Sequence, residues 1–311
     1  VVTGGSRGLG LALSRALLAR GAKLAVCARD ENELAAAQSE LRRAGNVFVS
    51  QADVTDRADI GRFLFSVEER LGPVDILINN AGTILVGPYD DMTLDDIRSV
   101  IEVNLFGAIN TMDAVLPSMR RRKTGNIVNV ASIGGLVPVP HLAAYCAAKF
   151  GLNGFSQTVA AEMRKHGIKV TVVNPGLMRT GSPTNATFKG RTKAEYGWFS
   201  LSDSIPWLTI SAEHAARDIL AACRRGRPYL VATAPAKIGA FLHALSPGLF
   251  VRAMTLVNAL LPKATGDASE RARGHESESW ASPSPLTALT ERAARENNEW
   301  PARRPVTDLP G

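Results

Sequence analysis

The sequence predicts an α/β fold: a doubly wound parallel sheet in a single domain over residues 1–233, with a helical C-terminal extension. Three observations predict it. Short, nearly continuous apolar runs alternate with helical segments as far as Thr233, the pattern of strands covered on both faces. A glycine-rich loop, Thr3 to Gly10, joins the first strand to the first helix. Past Thr233 the alternation gives way to an apolar stretch and then to a polar one.

The chain opens on Val1-Val2-Thr3, which reads as the inside of a strand. Further strands are expected at Lys23–Cys27, Val47–Gln51, Val74–Asn79, Asn126–Ala131, Ile168–Asn174 and Tyr229–Ala232. Helical segments between them include Leu9–Ala19, Glu31–Arg43, Ala58–Leu71 and Asn104–Arg122. Such alternation implies right-handed crossovers, and hence a parallel sheet with helices on both faces. The apolar stretch, residues 234–262, is broken by Ser246-Pro247-Gly248 and reads as two short helices. Residues 263–311 read as a polar linker and a short terminal helix. Ser284-Pro285 offers an N-cap followed by proline at the first helical position, and Leu286, Leu289 and Ala293 continue at helical spacing. The tail from Trp300 to Gly311 is expected to be irregular.

Composition narrows the function classes. Of 311 residues, 45% are hydrophobic and 21% charged, as in a soluble globular protein. Cys27, Cys146 and Cys223 are odd in number and far apart, so neither a disulfide framework nor a CxxC metal site is expected. The simple reading is a reducing compartment such as the cytoplasm. The histidines form no ligand cluster, so no metal is expected. The net charge of +7 suits an anionic cofactor, an acidic partner or a lipid surface. Nucleic acid is the weaker reading: Arg120-Arg121-Arg122-Lys123 falls where a helix should end, and cations there stabilise the negative end of the dipole. No uninterrupted apolar run reaches the ~20 residues that span a bilayer.

The loop Thr3-Gly4-Gly5-Ser6-Arg7-Gly8-Leu9-Gly10 has the strand–loop–helix setting of a dinucleotide site. Its glycines let the backbone approach a pyrophosphate, and the helix N-terminus offers free N–H groups. Arg29 ends the second strand, where Rossmann-type proteins select the adenosine ribose; an arginine there pairs with a 2′-phosphate. Arg7 is a second cation nearby, while the adjacent Asp30 points the other way. Together they favour NADP(H) over NAD(H). Asp53-Val54 and Asn79-Asn80-Ala81-Gly82 end the third and fourth strands, facing the same crevice.

Ser132 follows the fifth strand, and Tyr145 and Lys149 come thirteen and seventeen residues later. At i and i+4, the tyrosine and lysine share a helix face. An ammonium nearby stabilises tyrosinate, so such a pair can exchange a proton with a carbonyl or alcohol near neutral pH.

With these pieces in this order, the sequence resembles the short-chain dehydrogenase/reductase family over residues 1 to about 233. The resemblance rests on TGGSRGLG at Thr3–Gly10, DV at Asp53-Val54, NNAG at Asn79–Gly82, VNLFG around Asn104, Ser132, the Tyr145/Lys149 pair, and PGLMRT at Pro175–Thr180. It implies a tetrad of Asn104, Ser132, Tyr145 and Lys149. Tyr145 would be the general acid/base, and Ser132 would orient the substrate oxygen. Lys149 would bind the nicotinamide ribose and lower the Tyr145 pKa, and Asn104 would hold a relay water. Pro175, Gly176 and Thr180 would meet the nicotinamide end. The cofactor set is then Thr3, Gly4, Ser6, Arg7, Gly8, Leu9, Gly10, Arg29, Asp53, Val54, Asn80, Ala81, Gly82, Tyr145, Lys149, Pro175, Gly176 and Thr180. The segment Leu177 to Ile210 corresponds to the family's substrate lid. It carries Lys189, Arg191 and Lys193 besides Tyr196, Trp198, Phe199 and Trp207. Those aromatics suggest a bulky or apolar substrate, or else anchor the lid. His141 is expected to be a loop residue rather than a catalytic one.

The expected function is an NADPH-dependent carbonyl reductase, or the reverse alcohol dehydrogenase, acting on a hydrophobic ketone or a 3-oxoacyl compound. The alternative is a catalytically silent NADP-binding sensor or scaffold, against which the intact tetrad argues. The expected partners are a small-molecule substrate and further copies of the chain in a homo-oligomer. Residues 238–262 hold too many large apolar groups to leave in water, each worth roughly 1.5–3 kcal/mol on burial. They are expected to pack on the chain's own core or a partner subunit. The sharper reading is a membrane surface, with Lys237, Arg252 and Lys263 facing lipid head groups.

Overall fold

The computed structural model describes residues 1–278, 284 and 287–300. The chain begins with β1 (Val2–Thr3), α1 (Gly8–Leu18), β2 (Leu24–Ala28), α2 (Glu31–Leu41), β3 (Val47–Gln51), α3 (Arg57–Leu71) and β4 (Ile76–Asn79). It continues through β5 (Leu85–Val86), α4 (Leu94–Ile101), α5 (Gly107–Arg122), β6 (Gly125–Val130), α6 (Ala143–Met163) and β7 (Ile168–Asn174). Then come β8 (Leu177–Arg179), β9 (Thr187–Lys189), α7 (Thr192–Ser202), β10 (Thr209–Ser211), α8 (Ala212–Arg225) and β11 (Tyr229–Val231). The extension adds α9 (Ala234–Leu245), α10 (Pro247–Asn258), β12 (Arg271–Arg273) and α11 (Ala288–Glu296).

Seven of these strands form one sheet in the order β3-β2-β1-β4-β6-β7-β11, with every pair parallel. This is the doubly wound Rossmann-type arrangement. Strand order reverses between β1 and β4, so a crevice opens at the C-terminal ends of these strands. Residues alternate across the sheet as the apolar runs predict. In β2, Leu24 and Val26 face α1, α2 and α8, whereas Ala25 and Cys27 face α3 and α5. Leu11, Leu17, Ile219 and Ala216 fill the first layer; Ile60, Phe63, Met112 and Met119 fill the second.

Local chemistry sets the helix starts. Asp30 caps α2 by accepting from the Glu33 N–H at 2.9 Å, and Asp56 caps α3 through Ala58 at 2.8 Å. Thr93 and Asp96 form a reciprocal capping box on α4, and each such cap contributes about 1 kcal/mol. The helix expected from Asn104 starts earlier. From Leu94 to Arg122 it runs for 29 residues, interrupted by one π-helical turn at Glu102–Phe106. By length and composition it could cross a membrane, yet it lays Met112, Val115 and Met119 in the core. Its basic end behaves as read: Lys123 closes it in the left-handed conformation, and Arg122 bonds Asp75 at 2.8 Å.

The extension departs from expectation twice. First, α9 and α10 do not pack on the chain's own core. Leu245 is 71% and Leu260 88% exposed, and no residue of α10 is buried. The pair touches the body through buried Ala236 and a row of rings, Phe150, His243 and Phe250. Second, the stretch read as linker contains β12, which pairs antiparallel with β9 in a three-stranded sheet completed by β5. The terminal helix forms as α11; the expected Pro285 and Leu286 and the tail beyond Trp300 lie outside the described residues.

Candidate active site

The glycine-rich loop is clamped between β2 and β4. Gly4 donates its N–H to the Cys27 carbonyl at 2.8 Å. It has a left-handed φ of +60°, and a Cβ on it would strike the Ala81 backbone. Gly10 lies directly on the Gly4 carbonyl, again with no room for a side chain. Thr3 Oγ1 accepts from the N–H groups of Asn80 and Ala81, both at 3.1 Å, and Asn80 Nδ2 donates to the Gly4 carbonyl at 2.9 Å. The polar groups of Thr3 and Asn80 therefore hold the loop's shape.

Above the loop lies a cavity of about 1010 Å³ at the C-terminal ends of β1, β2, β4 and β6. Of the residues expected to bind cofactor or substrate, Gly4, Ser6, Arg7, Leu9, Arg29, Val54, Asn80, Ala81, Gly82, Asn104, Tyr145, Lys149 and Thr180 line it. Thr3, Gly8, Gly10, Asp53, Ser132, Pro175 and Gly176 do not line it, though Ser132 is hydrogen-bonded to Tyr145, which does. Pro175 accepts from the Ile133 N–H at 2.8 Å and so fixes the Ser132 loop; Gly176 packs on Thr233. Asp53 turns its carboxylate onto Thr55.

Charge gathers at the β2 end of the cavity. Arg29 is exposed, with Asp53 4.0 Å away. Arg7 pairs with Glu33 at 2.5 Å and with Glu299 at 3.3 Å. Arg273, from β12, lines the same cavity. Burial and the neighbouring charges of Arg7, Arg271 and Arg29 hold its guanidinium below the ordinary arginine range. The Asp30 carboxylate is engaged as the α2 cap.

At the other end, the π-helical turn carries Asn104, and such turns recur at functional sites because they re-aim a side chain. Asn104 Nδ2 donates to the carbonyls of Val100 and Thr83, both at 2.9 Å. Its Oδ1 is buried without a partner and faces Gly82, beside the Lys149 ammonium. Lys149 Nζ donates to the Val130 carbonyl at 2.9 Å and lies 5.6 Å from the centroid of the Tyr145 ring. Burial brings the Lys149 pKa down to about 8. Burial pushes the Tyr145 phenol up to about 12, against the pull of a hydrogen bond with Ser132. The net shift of the Tyr145 pKa is therefore upward and not downward as expected: desolvation of the buried phenol prevails. The glycine cradle and the orphan acceptor of Asn104 fit a nicotinamide dinucleotide.

Several residues of the site escape sequence reasoning. Asn153 lies one turn beyond Lys149 and donates to Asn174 Oδ1 at 2.7 Å, with Asn174 donating back at 3.0 Å. Asn79, Asn129, Thr111 and Ser156 form a second buried chain. These bonds fasten α6, which carries Tyr145 and Lys149, to the sheet. The i+4 spacing from Lys149 is the one signal for Asn153. His141 is a loop residue, as expected, but a buried one. Its Nδ1 lies 2.8 Å from Glu195, which also accepts from Trp198 Nε1 at 2.6 Å. Arg273, His275, Asn298, Glu299 and Trp300 line the cavity from the extension, and no local pattern announces them.

Known proteins share this architecture. The family model for short chain dehydrogenases matches residues 1–189. The mouse (Mus musculus) dehydrogenase/reductase SDR family member 7B is 34% identical over 260 residues, covering 82% of this chain and 79% of that protein. Oxidoreductase BOA17 of Botryotinia fuckeliana is 38% identical over 179 residues, which span 58% of this chain and 65% of the relative. Among solved structures, a short-chain dehydrogenase from Streptomyces avermitilis superposes with a TM-score of 0.71 at 29% identity, over 83% of this chain and 96% of its own. A tryptophan variant of actinorhodin polyketide ketoreductase with NADPH gives 0.68 at 29% identity, over 75% and 94%. Family match, sheet order and site agree: the chain belongs to the short-chain dehydrogenase/reductase family, oxidoreductases that use a nicotinamide cofactor on CH–OH and C=O groups of small molecules.

Proposed function

We propose that this protein is an NADPH-dependent carbonyl reductase, running as an alcohol dehydrogenase in reverse, with Tyr145 as its general acid/base. The observation that carries the reading is the convergence of Asn104, Ser132, Tyr145 and Lys149 at one end of a cavity whose other end is a glycine cradle. When bound, the nicotinamide cofactor supplies or accepts the hydride. The chain's own residues handle the proton. Tyr145, protonated at neutral pH, donates it to the carbonyl oxygen as the alcohol forms, with Ser132 fixing the oxygen's place. Lys149, charged below pH about 8, stabilises the tyrosinate left behind. The free Oδ1 of Asn104 is an acceptor for a water that returns the proton.

Three cations at the ribose corner, Arg7, Arg29 and Arg273, support NADPH over NADH, because a 2′-phosphate adds charge there. Asp30 is held as a cap and competes little. The substrate reading is a hydrophobic ketone or a 3-oxoacyl compound. Ile84 and Ala186 line the cavity, and Phe188, Tyr196 and Phe199 pack behind it. A second cavity of about 630 Å³ lies between the Val139–Ala143 loop and the end of α10. The α9–α10 pair would rest on an anionic lipid surface from which such a substrate is drawn. No Asp or Glu occurs from Ile219 to Gly266, while Lys237, Arg252 and Lys263 are exposed.

The test follows NADPH absorbance with purified protein and a panel of hydrophobic ketones and 3-oxoacyl thioesters. Turnover is expected with NADPH, and at least tenfold less with NADH. Tyr145→Phe should lower kcat by about 10²–10⁴-fold while NADPH affinity stays within threefold. Retained turnover in that variant would remove Tyr145 from the role.

A further inference from the structure

The extension returns to the glycine loop and covers it. Asn297 accepts the N–H of Gly8 through its carbonyl at 2.8 Å, taking the first free donor of α1. Asn298 Nδ2 donates to the carbonyls of Ser6 at 2.9 Å and Glu33 at 3.1 Å, bridging the loop to α2. Glu299 is buried with one carboxylate oxygen set directly on Gly8, where a Cβ would collide with it, and Thr180 beside it. Its other oxygen accepts from Asn185 Nδ2 at 2.7 Å and lies 3.3 Å from Arg7 Nε. Upstream, Ala294 is fully buried against the left-handed Gly181, and Arg15 bonds the Glu296 carbonyl at 2.9 Å.

A carboxylate in this place is a specific choice. Burial, with a smaller push from the Glu33 charge, lifts the Glu299 carboxyl above its ordinary range in spite of Arg7 and Asn185. A cover needed for packing alone is better made of apolar or neutral groups. A helix N-terminus framed by glycines and an arginine, however, is built for an anion. Glu299 brings a carboxylate against Gly8 and Arg7 in that cradle, and a second anion cannot share the place.

We propose that residues 288–300 form an internal competitor for the dinucleotide: Glu299 stands at the pyrophosphate position, and cofactor binds only when this strap leaves. The proposal rests on the cofactor reading above and adds a gate to it. If the strap is docked in 90–99% of molecules, apparent cofactor affinity is weakened about 10–100-fold, in proportion to the open fraction.

The test uses the full chain. Hydrogen exchange over residues 288–300 is measured with and without saturating NADPH, and NADPH affinity is measured calorimetrically for two variants. Ala294→Leu pushes the strap off Gly181 without touching the cradle; Glu299→Lys sets a like charge beside Arg7. Residues 288–300 should lose protection when NADPH binds, and both variants should bind NADPH about tenfold tighter or more. Protection that stays or deepens with NADPH bound, or variant affinities within twofold of the parent, overturns the gate and leaves the cofactor reading standing. If no form binds a dinucleotide, both fall together.

Discussion

The two halves of the extension invert what their compositions suggest. The α9–α10 pair is apolar and stays exposed, with Phe241, Leu245, Leu249 and Leu256, and Leu260 just past its end, open to solvent. The stretch from Ala264 to Trp300 is polar, and its described residues return to the body, where specific partners receive them. Asp91 accepts the N–H groups of Thr265 and Gly266 at 3.0 and 2.7 Å. Lys189, itself buried against Asp96 at 2.6 Å, donates also to the Ala268 carbonyl. Arg271 lies 3.8 Å from the same aspartate. Polar groups can leave water where their partners are already in place. Apolar groups stay out where the chain offers them no complementary face.

The largest effect is expected at that polar junction. Asp96→Ala leaves the Lys189 ammonium buried without its carboxylate and opens the capping box of α4. Breaking a buried pair in this way costs about 3–5 kcal/mol, which urea denaturation would read directly. The polar half should loosen with it, so proteolysis should cut between residues 264 and 273 in the variant alone. A loss below 1 kcal/mol would mean that the junction does not hold the polar half down.

A smaller effect concerns a polar group buried inside the body. Lys149 donates to the Val130 carbonyl at 2.9 Å, and burial lowers its pKa to about 8. A lowered lysine is charged below that value and loses its charge as pH rises through it. For the reduction, kcat/KM is therefore expected to hold up to pH about 8 and then to fall about tenfold per unit, as it does when one essential proton is lost. Tyr145, near 12, stays protonated across that window and does not set the limb. In Lys149→Arg, whose guanidinium keeps its charge, the inflection should disappear from whatever activity is left. A flat profile to pH 9.5 in the parent would show that the Lys149 charge is not required.

What was legible in the sequence follows the same division. Strands β2, β3, β4, β6, β7 and β11 were readable within about two residues, because double-sided burial writes apolar runs such as Leu24–Ala28. The closeness of Ser132, Tyr145 and Lys149 was readable because they keep fixed spacing on one strand end and one helix. No local pattern announces the burial of Lys189, since its partner Asp96 lies 93 residues away. Helix α4 escaped notice although its capping box, Thr93 to Asp96, is a local signal. The Glu299–Arg7 and Asn298–Ser6 contacts join positions some 290 apart through single polar bonds, and no periodicity records such a pairing.

The smallest effect on the fold, and the most informative about the apolar half, comes from Leu256 on α10 and Leu260 just beyond it. They are 72% and 88% exposed, so replacing both with glutamate should change unfolding free energy by no more than about 0.5 kcal/mol each. Their proposed work is at a lipid surface, where buried apolar area and cations act together. The parent should then co-sediment with vesicles containing phosphatidylserine, and the double variant should stay in solution. Two other outcomes redirect the comparison. A loss of 2 kcal/mol or more would mean that the helices pack on the body after all, and the contrast between the halves would dissolve. A parent that ignores vesicles but halves in mass by light scattering when Leu256 and Leu260 are replaced would assign the apolar face to a second copy of the chain.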